Sequence, residues 1–469
     1  MAAQNYENNH FYSPRYSQLA ELWAREETLR KLQIDFDSPD LHTCAQDYEY
    51  PVAGWPVIIS AARVAEFENL VGRLPALFRK AMQLYFGDDA AAFADYLQVP
   101  AVTHAILAAA PFEPRGLLNR HDLLFAQGEL KLIEVNAGST IGGWQLDYLE
   151  SMLRAVLAQG GETARWSLYY RNVIDAMIKA IFGAIALLRA PAGGNVLLVT
   201  GDLADLGQLV PALREAFARL RPTALSGGAL LVCDDHSEIS FGVDGTAWCQ
   251  GLRVDAVMLL MREGEEVKPA LNLRLVSAHM AGHLVMPDSP LCTIYGNKTL
   301  MALVHEPALA PLLSAEERDL VARNIPYTTR LRESTLEWAG EQWSLRPLLL
   351  ARKDDFVIKK SHSLQGRDVY IGKYCTSGEW NDVVERLFGE PDWLAQQFFP
   401  ADHTTAPDAQ GEMIDWAFVW GVFDAGQRYG GAFVRGMPVR NGKGVINSAQ
   451  GATEYAVFEE MARKNKVTI

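Results

Sequence analysis

Residues 119 to 140 read NRHDLLFAQGELKLIEVNAGST. Two short apolar runs, HDLLFA and LKLIEVN, are separated by QGE. Runs of this length about a glycine-containing break signal a β-hairpin, with Gly128 in the turn. Residues two apart in a strand face the same side. Arg120 and Asp122 therefore share a face, and so do Glu134 and Asn136 on the return strand. Asp122, Glu134 and Asn136 then offer three hard oxygen ligands, a set that suits Mg2+, which binds a few carboxylates and leaves room for phosphate oxygens. Arg120 beside them suits an anion made during a reaction. The competing reading is a polar hairpin face carrying one surface ion pair, since E-x-N alone is common.

Upstream, residues 1–115 read as mainly helical. Ser60 to Phe86 carries Val64, Phe67, Leu70, Val71, Leu74 and Phe78 at spacings of three and four, one buried helix stripe. Pro75 is expected to kink or split that helix, and Pro111 and Pro114 punctuate the end of the region. Downstream, residues 116–190 continue from the hairpin into helix. From Pro191 the pattern changes. NVLLVTGD, ALLVC, VDAVMLLM and HLVMP read as buried strands, and Leu206 to Leu220 as an amphipathic helix. That alternation predicts a small parallel α/β unit over 191–292.

Residues 293–469 bring a second polar cluster. Lys298 opens a helix in YGNKTLMALVHE. Lys359 ends the strand of DFVIKKSHSLQGRDVYIG, just before a loop that contains Gly366. A lysine beside a small-residue loop neutralises phosphate while backbone N–H groups bind its oxygens; either lysine taken alone is more commonly a strand end or a turn neighbour. WLAQQFFP, with Gln396 and Gln397, is a short strand along which an adenine could lie. A further hairpin spans MIDWAFVWGVFDAGQRYGGAFVRGMPV. It carries Arg435, a candidate for bidentate capture of a carboxylate, with Asn447 following in NSAQGA. The tail ARKNKVTI reads as a solvated basic end.

The chain has 469 residues, 49% of them hydrophobic and 21% charged. That length suits two or three packed units with a large core. A formal net charge of −14 argues against nucleic acid or an anionic membrane as partner. Ala176 to Leu188 is the most apolar helical stretch, but Lys179 breaks it and it is too short to span a bilayer. Five cysteines lie scattered with no C-x-x-C pair. They read as free thiols in a reducing compartment, not as a disulfide framework or a zinc site. The polar N-terminus lacks the apolar core of a signal peptide, so the expectation is a cytoplasmic protein. The phosphate-loop, dinucleotide, nucleophile-elbow and H-E-x-x-H motifs are all absent, and the histidines form no ligand set.

Taken together, NRHDLLFAQGELKLIEVNAGST, GNKTLMALV, FVIKKSHSLQGRDVYIG and WLAQQFFP resemble the circularly permuted ATP-grasp domain of the glutathionylspermidine synthetase family. In that family the E-x-N hairpin precedes the lysines, as it does here. The likeness covers roughly 115–150 and 190–455. It implies an α/β fold of the ATP-grasp type with permuted motif order, a small α/β domain before the grasp, and a helical N-terminal region. It implies ATP and Mg2+ as cofactors, with Asp122, Glu134 and Asn136 holding the metal. Lys298, Lys359, Gly366, Gln396 and Gln397 would contact the nucleotide, and Arg120 would stabilise the acyl phosphate. Arg435, Ser139 and Thr140 would contact substrate, and Arg262 would lie near the mouth of the site. The implied activity joins a small-molecule carboxylate to an amine, in a monomer or homodimer. Lys359-Lys360, SLQG, Gln397 in the hinge and EVNAGST depart from the family pattern, which bears on substrate more than on fold. There is no room for an N-terminal amidase domain, so the synthetase part alone is expected. A small-molecule kinase, or a non-catalytic relic of the fold that acts as a binding protein, would show the same ATP motifs.

Overall fold

The computed structural model describes residues 12–46, 48–109, 117–188, 191–261, 265, 267–363, 368–441 and 444–460. Pro111, Pro114, Arg262, Gly366 and the tail 462–469 lie outside the described residues. In chain order the first strands are β1 (Val57–Ile59), β2 (Leu118–Ala126), β3 (Glu129–Ala137), β4 (Leu168–Tyr170), β5 (Val196–Thr200), β6 (Leu230–Cys233), β7 (Ser240–Phe241), β8 (Ala247–Cys249), β9 (Leu252–Arg253) and β10 (Ala256–Leu260). The remainder are β11 (Thr328–Arg330), β12 (Thr335–Trp338), β13 (Glu341–Ser344), β14 (Phe356–Lys360), β15 (Val369–Ile371), β16 (Trp393–Gln397), β17 (His403–Pro407), β18 (Met413–Ala425), β19 (Tyr429–Pro438) and β20 (Thr453–Glu460).

The expected hairpin is β2 and β3. Its turn residues Gln127 and Gly128 have φ of 54° and 79°. A two-residue turn with both centres left-handed matches the twist of paired strands, and glycine takes the second centre without strain. The hairpin docks on β18, from the far end of the chain, in a sheet ordered β1-β20-β19-β18-β2-β3; β17 pairs with β18 and β4 with β20. Besides its helices, then, the N-terminal region contributes β1, which runs parallel to β20. The helix Ala61–Phe86 continues through Pro75 instead of splitting there. It buries Phe67, Leu70, Val71, Leu74 and Phe78 of the expected stripe, with Val64 half-buried, and the Phe67 ring lies 5.9 Å from Trp420 and 5.5 Å from Tyr429.

The small α/β unit forms as the alternation of apolar runs predicts. β10, β5 and β6 are parallel in that order. HLVMP differs: it contributes a single bridge from Val285 to Ala256, not a strand. A β7-β8-β9 meander packs into the same apolar cluster. The third sheet is ordered β11-β16-β14-β15, antiparallel throughout, with a β12–β13 hairpin nearby. Its core holds Phe356, Ile358 and Ala395, covered by Trp380 and Val384 of the helix Ser377–Leu387. That helix starts at a reciprocal cap between Thr376 and Glu379, which satisfies two backbone donors. Among the described residues no helix is long and apolar enough to cross a membrane.

Candidate functional site

Strand register builds the centre of the site. Arg120 lies opposite Asn136 and Asp122 opposite Glu134, so all four side chains emerge on one face. Register then slips after Asp122, because Leu123 pairs with Leu132. Ile133 is the extra residue of this bulge, and a bulge leaves backbone groups free of the ladder. The freed Ile133 carbonyl accepts from Lys359 Nζ at 2.6 Å. The bulge thus joins the hairpin to β14.

Asp122 is 1% exposed. Its carboxylate accepts from Arg120 Nε at 2.8 Å and Nη2 at 3.1 Å, from Arg435 Nη2 at 2.6 Å and from Asn136 Nδ2 at 3.1 Å. Burial alone would push this carboxyl up; the two guanidiniums outweigh it and hold the group well below the usual carboxylate range. A buried anion between two cations fixes both arginines. The Phe433 ring lies 5.5 Å from the Arg120 guanidinium and 5.6 Å from that of Arg435. That ring fits only because Gly421 and Gly143 have no side chains: a Cβ at either would meet it at 2.2 or 2.3 Å.

Glu134 is less buried and turns outward. Lys298 Nζ lies 3.2 Å from its Oε2, and Asn136 Nδ2 lies 3.3 Å from its Oε1. Lys298 sits at the start of the helix Thr299–Leu303, with its backbone N–H bonded to Ser361 O at 3.1 Å. Lys359 is enclosed, and besides Ile133 it donates to Gln396 Oε1 at 2.7 Å. Burial, then Lys298, draws the Lys359 pKa down to about 7, against the pull of Glu134. Gln396 donates onward to Thr328 Oγ1 at 2.9 Å.

Arg120, Arg435, Glu134, Asn136, Lys298 and Thr140 line one cleft of about 1330 Å3. Asp122, Lys359 and Gln396 support it from behind. Gln397 points the other way, into a separate hollow with Phe398 and Lys373. Ser139 turns toward Asp288, donating from both N and Oγ at 2.6 Å. Asp288 also accepts from Leu259 N at 2.9 Å, at the end of β10. Burial raises the Asp288 pKa, and these donors pull against it.

Three residues have no sequence signal. Asp288 is one. His362 lines the cleft beside Lys298. Glu454 pairs in register with Arg435, is 3% exposed, and accepts from Tyr48 Oη and Ser448 Oγ on the cleft wall. Three distant segments make this contact, so no local motif could report it.

The site fits a hard cation and a polyanion. The Glu134 carboxylate faces the cleft, and Asn136 spends its amide N–H groups on Asp122 and Glu134, leaving Oδ1 as an acceptor. Lys298 stands beside both. No family model matches the chain, and no curated protein does. Among solved structures it is similar to a glutathione synthetase-like effector from Globodera pallida, in apo form, at a TM-score of 0.57 and 10% identity, covering 96% of this chain and 100% of that one. The fold is glutathione synthetase-like, of the ATP-grasp type. A protein provisionally named as a gamma-glutamylcysteine synthetase from Methylobacillus flagellatus KT aligns at a TM-score of 0.39 and 11% identity, over 84% of this chain and 87% of that one. At 10% identity the first likeness concerns this fold alone.

Proposed function

We propose that this chain is an ATP-dependent carboxylate–amine ligase that forms an amide through an acyl phosphate and releases ADP and phosphate. In this reading it is a permuted ATP-grasp enzyme of the glutathionylspermidine synthetase type, synthetase part only. The observation that carries the reading is the convergence of Arg120, Arg435, Lys298, Glu134 and Asn136 on one cleft. Two fixed guanidiniums, an ammonium and an outward carboxylate–amide pair are what a carboxylate meeting a nucleotide phosphate requires.

Glu134 and Asn136 would hold Mg2+, with Asp122 behind them; the ion, when bound, supplies charge neutralisation on the phosphate oxygens. Lys298 and Lys359 neutralise further phosphate charge. Arg435 anchors the substrate carboxylate, whose oxygen attacks the γ-phosphorus while ADP leaves. Arg120 then faces the acyl phosphate, and its guanidinium stabilises the oxyanion as the amine attacks the carbonyl carbon. Phosphate departs and an amide remains. Glu454, the buried carboxylate beside Arg435 on the neighbouring strand and next to Tyr48 and Tyr50, is where an incoming ammonium fits, through charge and aromatic faces together. An amino acid or short peptide is the expected acid, and an amine or amino acid the expected acceptor.

The test is to supply Mg-ATP, hydroxylamine and a panel of amino acids and short peptides, and to measure ADP and hydroxamate. Hydroxamate from one acid, absent in Glu134→Ala, supports carboxylate activation. ADP without hydroxamate favours a kinase and overturns the ligase reading.

A further inference from the structure

The scattered cysteines do not remain scattered in space. Cys233 ends β6, Cys249 ends β8, and Glu238 closes the short turn His236–Glu238 between them. One ligand atom from each lies within 4.8 Å of the others. Both thiols are buried, at 2% and 1% exposure, while Glu238 is open to solvent. Both cysteines belong to the unit's apolar cluster, with Leu231, Ile239, Ala247 and Val254. Cys233 Sγ donates to the Asp235 carbonyl at 3.0 Å.

We propose that Cys233, Cys249 and Glu238 form a binding site for a soft divalent cation of the Zn2+ class. Thiolate is a soft ligand that selects Zn2+ over Mg2+, so this site is chemically separate from the hard oxygen pair Glu134 and Asn136. Two sulfurs and one carboxylate supply three of the four tetrahedral positions. Water takes the fourth, on the open side where Glu238 meets solvent. Binding is charge-balanced: the ion displaces one proton from each thiol, and two thiolates and one carboxylate leave a complex of net charge −1.

The site has a structural consequence. β6 is an edge strand of the parallel sheet, and β7-β8-β9 forms a separate small sheet. A three-stranded meander this short holds little of its own stability. An ion shared by β6, β8 and the turn between them would fasten the meander to the edge it covers.

The experiment titrates the full-length, metal-free chain with Co2+ alone and follows the near-ultraviolet thiolate-to-cobalt band. One equivalent should saturate the band, two protons should be released per ion, and Zn2+ should bleach it. Cys233→Ser/Cys249→Ser should abolish the band. Because buried cysteines can matter for folding, the surface variant Glu238→Gln is the second arm. It should weaken Co2+ binding by more than about tenfold, since even partners outside the ligand shell cost that much. Absence of the band in the wild-type chain, or equal Co2+ affinity in Glu238→Gln, overturns the proposal. A thiol count in denaturant without reductant adds a third arm. All five cysteines should react; three would reveal a Cys233–Cys249 disulfide and overturn it as well.

Discussion

Lys359 shows how the fold sets a charge. Its amine is enclosed against Ile133 O and Gln396, with Lys298 nearby, and titrates at about 7 instead of the usual 10.5. Lowering a lysine pKa on folding means the unfolded chain binds the proton more tightly. The cost of charging Lys359 is therefore present in full below pH 7, shrinks as pH rises from about 7 toward 10.5, and is gone above that. Lys359→Met should then raise the thermal midpoint of the nucleotide-free protein at neutral pH, while weakening ATP binding. Melting curves with and without Mg-ATP read both arms, and a midpoint lowered in the free protein would refute the argument. At pH 8, ATP binding should also draw a proton onto Lys359, which calorimetry in buffers of different ionisation enthalpy measures. Glu134→Ala removes the outward carboxylate but leaves the Asp122 network whole. It should cost several kcal/mol of transition-state stabilisation, near-complete loss of turnover, with a circular dichroism spectrum like wild type. At this scale the sequence was informative where period two sufficed: Arg120, Asp122, Glu134 and Asn136 share the face they were expected to share. It was silent where side chains choose among partners. Nothing local says that Asp122 turns to two guanidiniums while Glu134 faces the cleft, or that Ser139 turns to Asp288.

The elements carry the site through close approach of backbones. Gly421 on β18 lies opposite Asp122, and a Cβ there would meet the Phe433 ring at 2.2 Å and Arg120 Cδ at 3.0 Å. Both neighbours belong to the site, so neither can move without cost. Gly421→Ala should destabilise by about 1–3 kcal/mol, the usual range for overpacking. It should also lower activity beyond what the stability loss explains, because Arg120 must shift. Urea denaturation and turnover measured on the same preparation separate the two effects; wild-type activity in a destabilised Gly421→Ala would show that Arg120 has slack. Hairpins β2–β3 and β18–β19 were readable, because apolar run length and turn chemistry are local. The union of β2 with β18 was not, since that pairing depends on which distant strand presents a matching face. HLVMP failed as a strand for a related reason: its apolar composition buries the segment, but only Val285 finds a ladder partner.

Across the whole molecule, the small α/β unit reaches the large sheet of β2 and β3 through Asp288. This buried carboxylate takes Leu259 N from β10 on one side, and Ser139 N and Oγ from the end of the hairpin strand on the other. Nearby, Cys292 Sγ donates to Ala137 O at 2.9 Å. The segment just after Glu134 and Asn136 is thus held from outside its own sheet. Asp288→Ala would strand three donors in a buried place, and each unsatisfied group costs about 1–3 kcal/mol. Asp288→Asn keeps size and burial but must turn an N–H toward at least one of those donors. If Asp288 positions the hairpin, Asp288→Asn should lower kcat more than it raises KM for ATP, and should speed proteolytic cleavage near residues 138–143. That stretch follows Glu134 and Asn136 and contains Gly142, whose carbonyl accepts from Arg120 at 2.8 Å. A variant that loses thermal stability yet keeps the wild-type ratio of kcat to KM and an unchanged cleavage pattern would make Asp288 a packing residue only. Sequence alone could not have suggested the experiment. Asp288 lies in MPDSP, an ordinary turn by composition, and it gains its role only when two units fold against each other.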